Sequence, residues 1–339
     1  MERFLAAGIV VYKYTPQLPF RPPTDSLVIP GSHSAVPRPC LLFSHATGIA
    51  AQTYSTLFQE WANSWNIEIF AYDMRGHGLT ELPLFPAYER GKKNIHRVLV
   101  EDLCKLFWEL KGRSKPERTW MFAGHSLGGW LSLFAASQCH LKNVMLFDIS
   151  LLQKSQAAFW TAACLLAQRH LHFLSSAARR RKRRFGSREE ALRVFYRSPF
   201  FKGWKKSLIE TYVDTNYERD GNFWVLRCDP DWEADIFEAQ PASLTWAMLQ
   251  IQKQVRESLD LTLISGEQSL VCHPEAWQNF HRFFPQSRNL VLPQCGHMFP
   301  FEAQRSLLNL LQSENPFLPS PLETGECPQK FESPSDLAS

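Results

Sequence analysis

Five residues, Gly124-His125-Ser126-Leu127-Gly128, narrow the choice of fold more than any other part of the chain. They follow a short apolar run, Thr119 to Ala123, and lead into an apolar, helix-tolerant segment from Trp130 to Cys139. That order reads as strand, sharp turn and helix, the setting in which Gly-x-Ser-x-Gly gains meaning. The middle residue of such a turn is held at a strained backbone angle that lifts its hydroxyl clear of the chain. Side chains two residues to either side would meet the neighbouring strand and helix, so glycine is needed at 124 and 128. The helix that starts here aims its free N–H groups and positive dipole end at any anion formed beside Ser126. Ser126 is therefore a candidate nucleophile. The plainer alternative is a glycine-rich turn with an exposed serine.

The surrounding chain repeats the same rhythm. Residues 4–14 and 26–29 read as edge strands separated by a proline-rich loop. Cys40-Leu41-Leu42-Phe43 is a continuous apolar run that ends at Ser44-His45-Ala46-Thr47-Gly48, as expected of a strand buried on both faces. Tyr54, Leu57, Phe58, Trp61 and Trp65 recur at helical spacing. Ile67 to Tyr72 is the next strand and stops at Asp73-Met74-Arg75-Gly76-His77-Gly78; Ile95, Leu99, Leu103, Leu106 and Leu110 then line one face of a helix. Asn143 to Phe147 is another buried strand, ending at Asp148. Alternating buried strands and amphipathic helices imply a parallel sheet with helices on both faces, and ligands meet the carboxyl ends of such strands. His45, Asp73, Ser126 and Asp148 all lie at or just past such ends.

From 151 to 257 the rhythm breaks into a helical stretch rich in tryptophan, phenylalanine and arginine. Ser187 and Glu190 have capping-box spacing for a helix through Tyr196, and Gly221 to Cys228 reads as a short strand or hairpin. The rhythm resumes with a strand at Leu261–Ile264, a helix over Glu275–Phe284, a strand at Asn289–Leu292, the turn Cys295-Gly296-His297 and a last helix through Leu311. The expected division is thus a core of 1–150 and 258–312, an inserted segment 151–257, and a proline-rich disordered tail 313–339.

Composition excludes several classes. No run approaches the ~18 apolar residues of a membrane span. The eight cysteines are scattered without a Cys-x-x-Cys pair, which argues against a zinc site and a disulfide framework and suits reduced thiols in a cytoplasmic protein. No phosphate-binding loop or ligand cluster is present, so neither cofactor nor metal is expected. The net charge of +4 owes much to one run, Arg179 to Arg184. Without aromatic interleaving or a nucleic-acid motif that run reads as a solvated face, not a nucleic-acid site; guiding an anionic substrate or contacting a membrane surface are secondary readings.

Four motifs in this order make the chain resemble an α/β-hydrolase over about residues 26–312. His45-Ala46-Thr47-Gly48 resembles the oxyanion-hole turn, Asp73 to Gly78 the signature turn after the fourth strand, Gly124 to Gly128 the nucleophile elbow and Gly296-His297 the histidine loop. The resemblance implies a helical cap over 151–257 and acyl transfer: Ser126 attacks a carbonyl, His297 carries the proton, and the backbone N–H groups of Thr47 and Leu127 hold the oxyanion. The acid departs from the family's pattern. Its usual position falls on Ser269, which cannot carry the charge. Asp148 is the first choice for the carboxylate and Glu267 the second, with a dyad or another acid also open. Asp73, His45 and His77 read as turn supports and His125 as a packing residue. The cap rings Phe159, Trp160, Phe173, Phe195, Tyr196, Phe200, Phe201 and Trp204 suggest an apolar chamber, unless they are simply core.

The expected function is a serine hydrolase cleaving an ester or thioester in a fairly apolar small molecule, its acyl substrate being the expected partner. The alternatives are a catalytically weak binding protein of the same fold, or an acyltransferase or C–C hydrolase using the same three residues.

Overall fold

The computed structural model describes residues 1–17, 38–82, 95–241 and 244–314. The strand expected at 26–29 and nearly all of the expected tail lie outside these residues. The central sheet is assembled from β1 (Glu2–Ala6), β2 (Ile9–Tyr14), β3 (Cys40–Ser44), β4 (Glu68–Tyr72), β5 (Trp120–His125), β6 (Asn143–Phe147), and two later strands, Asp260–Gly266 and Arg288–Leu292. Their order is β1-β2-β4-β3-β5-β6 followed by those two, and all but the β1–β2 and β2–β4 pairings are parallel. The single strand expected over 4–14 is a hairpin, because Ala7 (φ 51°) and Gly8 (φ 74°) turn the chain back on itself. Its second strand is interior, next to β4.

Alternation along the strands divides the core into two layers. Tyr12, Leu41, Phe43, Ile69, Ala71, Ala123 and Phe147 face one side with α1 (Ser55–Trp65). Val11, Leu42, Phe70, Tyr72, Phe122 and Leu146 face the other, against α2 (Ile95–Gly112) and α3 (Leu127–Cys139). The five α2 residues at helical spacing are all buried, as that spacing requires. Burial on both faces explains the unbroken apolar run in β3, and in β4 the same burial is met at Glu68 by pairing with Lys13 and Arg118.

The inserted segment holds α4 (Lys154–Leu165), α5 (Phe173–Arg179), β7 (Arg184–Phe185), α6 (Arg188–Phe195), α7 (Lys206–Asn216), β8 (Tyr217–Asp220), β9 (Phe223–Leu226), α8 (Pro230–Glu238), α9 (Leu244–Leu249) and α10 (Lys253–Ser258). It is not wholly helical: β7, β9 and β8 form a small antiparallel sheet, with the hairpin turning at Gly221. Ser187 caps α6 by accepting from Glu190 N (3.1 Å), but the Glu190 carboxylate reaches Gly186 N (2.7 Å) instead of closing a box. β10 (Asp260–Gly266), α11 (Pro274–Phe283), β11 (Arg288–Leu292), α12 (Phe299–Glu302) and α13 (Gln304–Glu314) complete the core. The last helix therefore runs slightly past the expected start of the tail at 313.

Among the described residues no helix is long and apolar enough to cross a membrane, no disulfide forms among seven cysteines, and no cluster of ligating side chains could hold a metal.

Candidate active site

Ser126 stands between the end of β5 and the first turn of α3 at φ 57°, ψ −122°. This conformation is strained for a residue with a side chain. Two close approaches enforce it. A Cβ on Gly124 would lie 2.2 Å from Gly128 O, and one on Gly128 would lie 2.1 Å from Ser44 O and 2.5 Å from His45 O. Glycine at both positions thus lets the start of α3 press against the end of β3. The serine is partly exposed at that junction.

The same junction brings the Thr47 turn beside the helix. Most N–H groups of this turn are already committed: Ala46 to Tyr54 Oη (3.2 Å), Gly48 to His77 Nε2 (3.0 Å), Ile49 to Ala46 O (3.2 Å), Ala50 to Asn216 Oδ1 (2.8 Å) and Ala51 to Asp73 Oδ1 (2.9 Å). Among the described residues, the N–H groups of Thr47 and Leu127 have no acceptor. A first-turn helix N–H lacks an intrahelical partner by geometry, so Leu127's freedom is general. Thr47's is specific to this turn.

Asp148 follows β6 in a left-handed conformation (φ 47°) and is completely buried. Three donors converge on its carboxylate: Gly266 N at 2.9 Å, Ser269 Oγ at 2.5 Å and His297 Nδ1 at 2.6 Å. The Ser269 oxygen accepts from Val271 N and Cys272 N (both 3.1 Å), so its lone proton is directed at Asp148. Ser269 thus supports the neighbouring carboxylate. With Nδ1–H committed to Asp148, Nε2 of His297 is left as the basic nitrogen. Glu267 lies elsewhere: it is exposed and accepts from Gln294 N (2.8 Å).

His125 is more than packing. Its Nδ1 accepts from Tyr54 Oη (2.8 Å) and its Nε2–H donates to His297 O (3.0 Å), while Tyr54 Oη accepts from Ala46 N. One buried chain of hydrogen bonds therefore ties together the Thr47 turn, the elbow and the histidine loop. The rings of His125 and His297 are 4.8 Å apart, which sets His297 beside the residue preceding Ser126. Burial holds His125 neutral, with the proximity of His297 acting in the same direction.

The turn supports behave as their positions suggest. Asp73 accepts from Tyr12 Oη (2.7 Å), Leu79 N and Ala51 N (both 2.9 Å). Burial raises its carboxyl above the ordinary value, while these donors oppose the rise. His45 donates through Nδ1 to Ala46 O and accepts from Met74 N (both 2.8 Å). Burial depresses His45 well below its usual range and takes His77 down to about 4, so both remain neutral acceptors of backbone N–H bonds.

The basic run is largely paired. Arg179 meets Asp231, Asp235 and Glu238, Arg183 meets Asp229 and Asp231, and Lys182 meets Glu190. Arg181 is half-buried against Glu233, donates to Tyr212 Oη (2.7 Å) and reaches Gly48 O at 3.3 Å. It thereby clamps the inserted segment to the Thr47 turn. Composition gave no signal of this, because a clamping arginine and solvated ones look alike in a run of six.

The eight rings of the inserted segment divide. Trp160, Phe201 and Trp204 are buried, with Trp204 stacked on Phe301 at 4.1 Å, and Phe195 is partly buried. Phe159, Phe173, Tyr196 and Phe200 are exposed, so these four do not line a chamber.

A model of the alpha/beta hydrolase family matches residues 41–308. A search of curated proteins finds no match. Among solved structures, the chain resembles the peroxisomal alpha-beta-hydrolase Lpx1 of Saccharomyces cerevisiae (15% identity, 94% of this chain and 92% of that one, TM-score 0.66). It also resembles an E-2-(acetamidomethylene)succinate hydrolase (16% identity, 93% and 98% covered, TM-score 0.65). A third likeness is an esterase of Mycobacterium tuberculosis (17% identity, 93% and 91% covered, TM-score 0.60). At these identities the likeness is one of fold.

Proposed function

The chain belongs to the alpha/beta hydrolase family, and on that premise we propose that it is a serine hydrolase cleaving an ester or thioester bond in a fairly apolar small molecule. The observation that carries the reading is the buried Asp148 carboxylate hydrogen-bonded to His297 Nδ1, with Nε2 left basic beside the elbow.

The sequence of events follows from those groups. His297 Nε2 takes the Ser126 proton as Oγ adds to the acyl carbon. The N–H groups of Thr47 and Leu127 hold the oxygen as its C=O bond becomes a single bond, each such donor contributing about 3 kcal/mol to lowering the barrier. Collapse expels the alcohol or thiol, which receives the proton from Nε2, and leaves an acyl-serine. Water activated by the same nitrogen repeats the addition, releasing the acid and restoring the hydroxyl. Asp148 keeps its hydrogen bond to Nδ1–H throughout and so fixes the tautomer. A cytoplasmic setting belongs to the same proposal.

A fluorophosphonate probe tests the reading, because only an activated serine displaces its fluoride and becomes phosphonylated. Stoichiometric labelling of the wild type, absent in Ser126→Ala, is expected. Folded wild-type protein that stays unlabelled would leave a binding module of hydrolase fold as the better account.

A further inference from the structure

The surface of α4 and α5 is unlike the rest of the molecule. Phe159 (58% exposed), Leu165 (80%), Leu166 (71%), Leu171 (47%) and Phe173 (60%) are concentrated within fifteen residues. Phe159, Ala162, Leu165 and Leu166 share one face of α4, since they lie three, six and seven positions along from the first. The adjoining side is apolar too, with Trp160 and Ala163 buried. A helix apolar on all sides is stable in water only when each side is covered. Here one side is bare.

The patch is carried on a firm base. Trp160 Nε1 donates to Pro241 O (2.9 Å), and the His172 ring stacks on Phe173 and Phe237 at 5.0 and 5.6 Å. Arg169 donates to Glu238 O (2.8 Å) and Gln240 O (2.9 Å). These leucines and phenylalanines are therefore displayed by structure, not left over from a loop.

Charge selects what covers them. No charged residue occurs from Ser155 through Gln168, and no aspartate or glutamate from Ile149 through Arg188. The α8 acids beside α5 (Asp231, Asp235 and Glu238) are engaged by Arg179. Arg180 is exposed and has no acidic partner among the described residues, and the exposed His170 lies between Leu166 and Leu171. An apolar stripe free of acids, with the arginine cation at its margin, matches the boundary of an anionic bilayer, where acyl chains receive the side chains and headgroups meet the charge.

We propose that the α4–α5 surface docks on an anionic lipid bilayer, with Phe159, Leu165, Leu166 and Phe173 entering the acyl-chain boundary and Arg180 facing the headgroups. This membrane contact draws on one member of the basic run, the exposed Arg180, and it stands whether or not Ser126 is a nucleophile.

Flotation of the full chain with phosphatidylcholine vesicles containing about one third phosphatidylserine tests the proposal. The wild type should float, Leu165→Ser/Leu166→Ser should lose about tenfold or more in partitioning, and Arg180→Glu should bind less. Melting temperature and fluorophosphonate labelling should not change in the leucine variant, since both side chains are exposed. Three results would overturn the idea: a wild type that stays with the buffer, a double variant that floats equally well, or lipid-free sedimentation showing a dimer that the double variant dissolves. The last would assign the surface to a second copy of the chain. Equal flotation with phosphatidylcholine alone would overturn the role given to Arg180.

Discussion

Replacing Asp148 by asparagine alters the site by a few atoms, and its effect can be worked out from the three donors that meet there. The new amide keeps one acceptor oxygen, which suits Gly266 N–H. Its nitrogen then occupies the place of the oxygen that receives both Ser269 Oγ–H and His297 Nδ1–H. Ser269 has no alternative, because Val271 N and Cys272 N take up its oxygen. His297 can respond by moving its proton to Nε2, the tautomer that cannot accept from Ser126. The analogous change in another serine hydrolase costs about 10⁴ in turnover, and a loss of about 10³–10⁴ is expected here. Two charge-assisted hydrogen bonds disappear as well, so stability should fall by about 3 kcal/mol. Fluorophosphonate labelling rate and p-nitrophenyl ester hydrolysis read the first effect, and thermal melting reads the second. Glu267→Gln, whose carboxylate serves only Gln294 N among the described residues, is the control and should stay within about twofold, as exposed substitutions usually do. Because Ser269 already touches the carboxylate, Ser269→Asp added to Asp148→Asn should recover at least about tenfold in labelling rate by returning a charge to the pocket. A folded Asp148→Asn protein labelling within about tenfold of wild type, above all if Glu267→Gln is slow, would refute the reasoning.

Two further outcomes follow from buried groups around the site. His45, His77 and His125 are held neutral below their ordinary range, so the unfolded chain protonates them first; their contribution to stability is present above about pH 6.5 and is lost as pH falls toward the folded values, about 4 for His77. At pH 5 the unfolded state binds about three more protons through these histidines, a loss of about 4 kcal/mol per pH unit that the raised carboxyl of Asp73 offsets in part. Chemical denaturation between pH 6.5 and 5 checks this, and a flat profile would contradict it. Gly48→Ala would force a Cβ to 2.5 Å from Glu233 Oε1 and 2.9 Å from Arg181 Nη1 at φ 76°. It should cost about 1–3 kcal/mol in stability and slow labelling by disturbing the neighbouring Thr47 N–H; unchanged labelling would show that the turn tolerates the shift.

What could be read in advance was whatever a strand, a turn or a helix declares locally. Apolar runs at 40–43 and 143–147, the spacing in α2 and the glycines around Ser126 each carry their own reason, and the sheet follows from them. The β1–β2 hairpin was harder to read, because Ala7-Gly8 is a weak turn signal inside an apolar run. Contacts over long separations left no local trace. Ser269 meets Asp148 across 121 positions, and Arg181 reaches Gly48 across 133. Tyr54 fits a helical apolar pattern perfectly well, yet its hydroxyl links two loops.

In the family's usual layout the acid and the base both come after the inserted segment. Here Ser126 and Asp148 precede it and His297 follows, so the two halves of the chain meet chemically along one seam. That seam is the parallel pairing of β6 with β10, from Asn143–Asp260 to Phe147–Ile264, finished by the Asp148 N to Ile264 O bond at 2.7 Å. A slip of one residue there would carry the carboxylate away from the imidazole while leaving the serine untouched. The alignment of proton donor and acceptor is thus inherited from strand registration, while the segment between 151 and 257 acts on the other side of the site, through Arg181 and Asn216 at the Thr47 turn.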